Sequence, residues 1–376
     1  MVYNKGSYNE NWKIFKLSEL GTFARGVSKH RPRNDSKLFQ NGKYPLVQTG
    51  DVKEANLYLS KHEQEYGDFG LKQSKLWNTG TLCITIAANI AETAILAYPM
   101  CFPDSIVGFS AYPEKSSEEF MYYIFEYIKK SIKNAVTGSI QDNINLEYLM
   151  SLEFKIPEKK YQDMIVLTLS SIDKKILINN AINDNLEQQI QLIFDYLFPD
   201  VCAGNKHMGD FIIPKRGKSL LSKNTVHGKV PVIAGGLKPS IYHNVANTVA
   251  PVVTISSSGA NAGFVNIWGV PVWASDSSYI DSEMSQYVYF WYAYLKRHQN
   301  NIYNIQTGSA QPHIYPSHIS SLPITDLDYK KIEKYTEIVS PIFLTITKNY
   351  VENQHLQSLR DWLLPMLMNG QATISD

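Results

Sequence analysis

Two stretches of the chain carry their apolar positions at alternating steps of four and three residues. The first runs through Ile165, Leu169, Ile172, Ile176, Asn179, Asn183, Leu186, Ile190, Ile193 and Leu197. The second runs through Tyr335, Val339, Ile342, Ile346, Asn349, Asn353, Leu356, Arg360, Leu363 and Leu367. Such spacing, held without a break, predicts the seam of a coiled coil on one continuous helix in each stretch. Pro199 and Pro365 mark or approach the ends, and Asn369-Gly370 is a stop signal. The competing arrangement is a helix packed independently on each globular part.

The seam contains two amides in each copy. A buried Asn costs stability but is satisfied by another Asn across the interface, which fixes register. Antiparallel pairing sets Asn179 opposite Asn353 and Asn183 opposite Asn349, about the midpoint that also faces Ile165 with Leu367. Parallel pairing would match Asn with Asn as well. Arg360 interrupts the seam and is expected to snorkel at its edge.

Outside these stretches the period changes. Short apolar runs, Leu82-Cys83-Ile84-Thr85-Ile86 and Pro251-Val252-Val253-Thr254-Ile255, read as strands. Aromatic-rich segments Phe120 to Ile132 and Gln286 to His298 read as helices. With dense Gly, Pro and Asn punctuation, the class is α+β.

The chain repeats itself. Thr137-Gly138-Ser139-Ile140-Gln141 recurs as Thr307-Gly308-Ser309-Ala310-Gln311. The same offset carries Ile144 onto Ile314 and Leu152 onto Leu322, then holds without a gap to Leu197 on Leu367. Upstream, with small insertions, Tyr127-Ile128-Lys129-Lys130 resembles Tyr294-Leu295-Lys296-Arg297. Thr85-Ile86 likewise matches Thr254-Ile255, Asp104-Ser105 matches Asp276-Ser277, Pro45 matches Pro231, and Arg25-Gly26-Val27-Ser28 matches Arg216-Gly217-Lys218-Ser219. Each half is therefore a globular part followed by a long helix, a pseudo-two-fold internal repeat.

Composition narrows the function. A length of 376 residues gives room for two globular domains plus something elongated, and 44% apolar with 19% charged residues suits a chain with a proper core. There is no run of eighteen apolar residues and no signal-peptide core in Met1-Val2-Tyr3-Asn4-Lys5-Gly6, so a cytoplasmic location is expected. Cys83, Cys101 and Cys202 are scattered without metal spacing, as buried thiols in a reducing compartment would be. The sequence has no Gly-rich phosphate loop followed by Lys-Ser/Thr, no G-x-S-x-G elbow, no His-Glu-x-x-His, and no Asn-Pro-Pro-aromatic motif of adenine methylation. Ser256-Ser257-Ser258-Gly259 reads as a tight turn, and His313 and His318 as surface groups. No catalytic or metal site is expected.

Net charge is only +1, so location decides. Arg25, Lys29, Arg31, Arg33 and Lys37 crowd one stretch with only Asp35 against them, and Lys215, Arg216, Lys218, Lys223 and Lys229 fill the corresponding stretch of the second half. A local surplus of this kind is what phosphate contact needs. Gln48, Thr49, Gln141, Gln311 and His313 are nearby side chains able to read base edges. For the Thr-Gly-Ser loops, base reading and a purely structural turn both stand.

The order domain, helix, domain, helix resembles the specificity subunits of Type I restriction-modification systems over essentially the whole chain. Leu186-Glu187-Gln188-Gln189-Ile190-Gln191-Leu192-Ile193-Phe194 looks like that family's first conserved helix, and Leu363-Leu364-Pro365-Met366-Leu367-Met368-Asn369-Gly370 like its ending. The Thr-Gly loop followed by Ile156-Pro157, and its copy closing at Leu322-Pro323, resembles the end of each target-recognition domain. The resemblance implies a first target-recognition domain over 1–157, a spacer helix over 158–198, a linker and second recognition domain over 199–327, and a second spacer helix over 328–370. It implies a non-catalytic subunit reading a bipartite site on double-stranded DNA. Its partners would be two methyltransferase subunits, which would carry the S-adenosylmethionine, and in some assemblies a translocating nuclease; the chain itself would hold no cofactor. The rival is a scaffold of two ligand-binding modules, for carbohydrate for instance, spaced by a coiled coil. The 24 tyrosines would suit sugar stacking, whereas the doubled basic stretches favour DNA.

Overall fold

A computed structural model of the chain describes residues 2–3, 10–137, 144, 146–308 and 311–374. The chain divides into two compact units, one of Met1–Ile176 with His355–Asp376 and one of Leu177–Gln354. Each unit holds one globular lobe and a stretch of both long helices.

In the first lobe a five-stranded sheet runs in the order Gly21–Arg25, Ile106–Ala111, Leu82–Thr85, Thr93–Leu96, Tyr58–Leu59. The run Leu82–Thr85 is buried along its whole length, because the helix Glu118–Thr137 covers the sheet. Phe120, Tyr123, Ile124, Ile128 and Ile132 are buried in the core they share with the sheet, at the three- and four-residue steps of one helix face. A second sheet orders Gln64–Tyr66, Tyr44–Leu46, Met100–Cys101 and Leu76–Trp77, with Tyr44–Leu46 and Met100–Cys101 parallel. A third pairs Glu153–Ile156 with Lys13–Lys16 and Val2–Tyr3. Burial pushes the Cys101 thiol up to about 11, so it is an inert core group.

The second lobe repeats this plan with shorter means. Its main sheet runs Lys215–Arg216, Ser277–Asp281, Val252–Ser256, Val265–Trp268, and the helix Val288–Arg297 packs on it. The second sheet runs Ile241–His243, Val230–Ile233, Trp273–Ala274, and here too the strand that leads into the main sheet, Trp273–Ala274, lies parallel to its neighbour Val230–Ile233. The helices extend slightly differently from the apolar runs that announce them, five residues longer at the C-terminal end in the first lobe and shorter at both ends in the second.

The repeat's register needs one correction. Sequence matching sets Thr85-Ile86 against Thr254-Ile255, but backbone bonding sets Ile86 against Ser257. Ile86 N–H donates to Ser105 and Ser257 N–H to Asp276, and their carbonyls accept from Ile144 and Ile314. In the turn that follows, Gly259 and Gly263 of the second lobe take positive φ, and the first lobe turns with Ala88 and Ala91 in the same left-handed region. The sequence match slid because Ala does the work of Gly there.

The long helices span Lys159–Leu197 and Tyr329–Met368 and run antiparallel. In the second unit Asn179 Nδ2 donates to Asn353 Oδ1 at 2.9 Å, and Asn349 Nδ2 to Asn183 Oδ1 at 2.8 Å. Glu352 and Asn180 complete the first amide layer. In the first unit Arg360 does not snorkel into water. Its Nη1 reaches Asp173 Oδ1 at 2.9 Å, while Tyr123 donates to the other oxygen of that carboxylate at 2.7 Å. Asp173 is only 10% exposed, so a cation beside it is worth more than a hydrated one at the seam's edge. Pro365 lies inside the second helix, three residues before its end.

Candidate nucleic-acid interface

In each lobe the two sheets deliver several loops to one end. In the first lobe the parallel strands Tyr44–Leu46 and Met100–Cys101 leave that end into Gln48 and Asp104. Beside them lie the end of the basic strand Gly21–Arg25 and the turn after Leu82–Thr85. The chain leaving the basic strand wraps the Asp104 turn, with Gly26 N–H donating to Ile106 and Val27 N–H to Phe102. The second lobe does the same, with Gly217 N–H donating to Ser277 and Lys218 N–H to Ala274, around the turn that holds Asp276. The first turn is one residue longer than the second.

The basic residues meet an acid that neither stretch contains. Arg33 Nη2 lies 2.5 Å from Asp104 Oδ1, and Arg31 Nη2 lies 3.8 Å from Asp104 Oδ2. Arg31 also folds back to donate to the carbonyls of Ser28 and His30. Asp35, the carboxylate inside the stretch, serves His30 at 2.7 Å instead. The Lys37 N–H and His30 hold its carboxyl below the usual range. In the second lobe Arg216 Nη2 lies 2.6 Å from Asp276 Oδ1, and Ser258 Oγ donates to Asp276 Oδ2. The expectation that Asp35 alone opposes the first stretch is therefore wrong, and the reason is tertiary: Asp104 is 71 residues away from Arg33.

Ser258 ties this cluster to the Thr-Gly loop. It bridges His313 across an isolated antiparallel contact, and Thr307 and His313 exchange two backbone bonds of 3.0 and 2.8 Å. His313 Nδ1 donates to the Gln311 carbonyl at 2.7 Å. Arg216, Ser258, Gln311 and His313 are thus brought to one end of the second lobe. Ser258 is bonded to a carboxylate already paired with arginine, which leaves it a structural hydroxyl rather than a nucleophile.

The remaining sites separate. Arg25, Lys29, Lys37, Lys215, Lys218 and Lys223 are exposed, and among the described residues none of them pairs with an acid. Lys229 precedes Val230–Ile233 and so sits at the end of that strand away from the Asp276 turn. Gln48 is exposed, its N–H held by Asp51 at 2.7 Å, and Thr49 opens the short helix Thr49–Glu54. Gln141 lies outside the described residues, as do Gly138, Ser139, Ser309 and Ala310. Sequence reasoning missed Asp104, Asp276 and Ser258. The repeat did carry the two aspartates, but a carboxylate has the wrong charge to be picked out in a search for cations that would meet phosphate. Among the described residues no group of three or more His, Cys, Asp or Glu could hold a metal ion, and no helix is long and apolar enough to cross a membrane.

Comparison with known proteins gives this end of each lobe its context. Residues 9–188 match the family model of the Type I restriction modification DNA specificity domain. That match covers just under half of the chain, and by it and the relatives below the chain is similar to the specificity subunits of Type I restriction-modification systems. It is 22% identical to the Type I restriction enzyme MjaIX specificity subunit of Methanocaldococcus jannaschii, over 99% of this chain and 96% of that protein. It is 25% identical to the MjaVIII specificity subunit of the same organism, over 51% of this chain and 46% of that protein. The crystal structure of the Type I restriction-modification S subunit from M. genitalium has the same fold, with a TM-score of 0.59 at 18% identity, covering 98% of this chain and 99% of that one.

Proposed function

We propose that the two lobes, 1–157 and 199–327, are target-recognition domains that each read one half of a split site on duplex DNA, and that the helices over 158–198 and 328–370 are the spacer between them. The chain itself performs no chemistry. It docks two methyltransferase subunits, which bring S-adenosylmethionine, and works in the cytoplasm beside the DNA it reads. The single observation that carries this reading is the duplicated loop end, where each lobe gathers a basic strand, an arginine–aspartate contact and the turn after the central strand by the same bonding pattern.

Phosphate contacts position a protein without regard to sequence, and each one adds about one unit to the slope of affinity against salt. Arg25 and Lys29, beside the strand end, are two of the first-lobe cations with no acid partner among the described residues, so Arg25→Ala with Lys29→Ala should weaken binding to all duplexes alike and lower the salt slope by about two units. Unchanged binding of the double variant at low and moderate salt would remove the basic strand from the interface. Methylation or cleavage by the isolated chain, lost with one of its own side chains, would overturn the non-catalytic assignment.

A further inference from the structure

We infer that Asp104 and Asp276 are positioning residues, each holding one arginine (Arg33 and Arg216) so that the free edge of its guanidinium reads a guanine in its own half-site. This rests on the proposed DNA reading. An acid here is costly on its face, since it repels the phosphates that the surrounding cations attract. Nor does stability explain it. The five side chains are between 35% and 54% exposed, and ion pairs so placed add little to folding.

What recurs is the geometry. Both aspartates sit in the short turn between the same two strands, after Met100–Cys101 and before Ile106–Ala111 in one lobe, after Trp273–Ala274 and before Ser277–Asp281 in the other, although by backbone bonding Asp276 stands level with Ser105, one position after Asp104. Both offer Oδ1 to an arginine Nη2, at 2.5 and 2.6 Å. In both, Oδ2 faces a second group, the Arg31 guanidinium or the Ser258 hydroxyl, so the carboxylate cannot turn freely. Yet the arginine comes from different places. Arg216 lies on the basic strand and matches Arg25, while Arg33 comes from the loop that follows. Two diverged copies that keep the same contact through different arginines have kept the contact itself.

Among the described residues Arg33 and Arg216 make no other side-chain hydrogen bond, so the second N–H of Nη2 remains, with the N–H of Nε or Nη1 beside it, as one free edge of two parallel donors. A planar fork with two donors left is matched by the O6 and N7 of guanine in the major groove. An untethered arginine would reach phosphates and bases indiscriminately; the aspartate removes one donor and fixes the plane of the rest.

The test selects bound sequences from a randomised duplex pool, using the full chain with its methyltransferase subunits, and measures salt dependence in parallel. Asp276→Ala is expected to leave non-specific affinity equal or higher, because a negative charge is lost. Discrimination at one G·C pair of one half-site should fall about ten- to a hundredfold, with the other half-site intact. Asp276→Asn, which keeps one acceptor, should recover part of it, and Asp104→Ala should strike the other half-site. Arg216→Lys keeps charge and loses the fork, so it should reproduce the Asp276→Ala loss and answers the question if that variant folds poorly. Tighter binding with both half-sites still fully discriminated would reduce the aspartates to charge tuning and overturn the inference. A wild-type chain with no sequence preference would instead overturn the reading of DNA itself.

Discussion

At Glu187 the first long helix turns a carboxylate toward Tyr292, whose hydroxyl donates to Oε2 at 3.4 Å. Desolvation raises its pKa, Asp184 adds to the rise, and Lys296 and Tyr292 only partly offset it. A carboxylate raised in the fold holds its proton more tightly there than in the unfolded chain. Its contribution is therefore fully present below the ordinary glutamate range and is lost as pH rises through the folded value. Glu187→Gln should flatten that slope. Denaturant midpoints should rise at pH 7.5 and coincide with wild type at pH 4, and an equal rise at both would mean that packing, not ionisation, is responsible. Residue-scale features of this kind were hidden in the sequence, where Glu187 is one of many polar helix positions. Arg360 was hidden in the same way, since its partner Asp173 lies 187 residues earlier.

The helices are the element most fully written in the sequence, because a heptad is local and needs no distant partner to be read. Their amide layer shows what the periodicity costs. Asn179 is 1% and Asn353 7% exposed, and Asn179 Oδ1 has no hydrogen-bond partner. Asn353→Leu alone would leave the buried Asn179 amide only its bond to Glu352 and release the exposed Asn180 side-chain oxygen to water, a loss of about 1 kcal/mol. Asn179→Leu with Asn353→Leu removes both buried amides and should recover most of that loss, since apolar replacement of a buried polar pair is near neutral or favourable. Denaturation of the four proteins in a double-mutant cycle measures the coupling. A neutral single substitution would show that the layer carries no register. The strands were legible for the same local reason, as runs such as Leu82–Thr85. What joins them was not. Arg216 and Asp276 are 60 residues apart, and only the folded turn brings them within 2.6 Å.

At the scale of the molecule, the first lobe is not closed by its own sequence stretch. Leu367 and Met368 are buried in its core beside Ile165 and Leu169, with Leu363 and Leu364 packed against it. Tyr127 donates to Asn369 Oδ1 at 2.9 Å, and Tyr161 donates to the Ala372 carbonyl at 3.2 Å while accepting from Ile374 N–H. The recognition domain read as 1–157 therefore folds against a C-terminal segment two hundred residues later, a long-range packing no local pattern announces. This sets the outcome of exchanging 1–157 for the matching domain of a relative. The loops proposed to read DNA all travel with the lobe, so one half of the methylated sequence should change and the other stay fixed. The foreign core would meet this chain's Leu363, Leu367 and Met368, and small misfits in a close-packed core cost about 1–3 kcal/mol. A second chimera that also carries the relative's counterpart of 363–374 should melt several degrees higher with the same new half-site. Sequencing methylated DNA from cells expressing each chimera with the methyltransferase subunits decides the first point, and thermal melting decides the second. If the added segment altered the bases read, the C-terminal stretch would belong to the interface. If both half-sites changed together, the lobes would read DNA jointly rather than one half each.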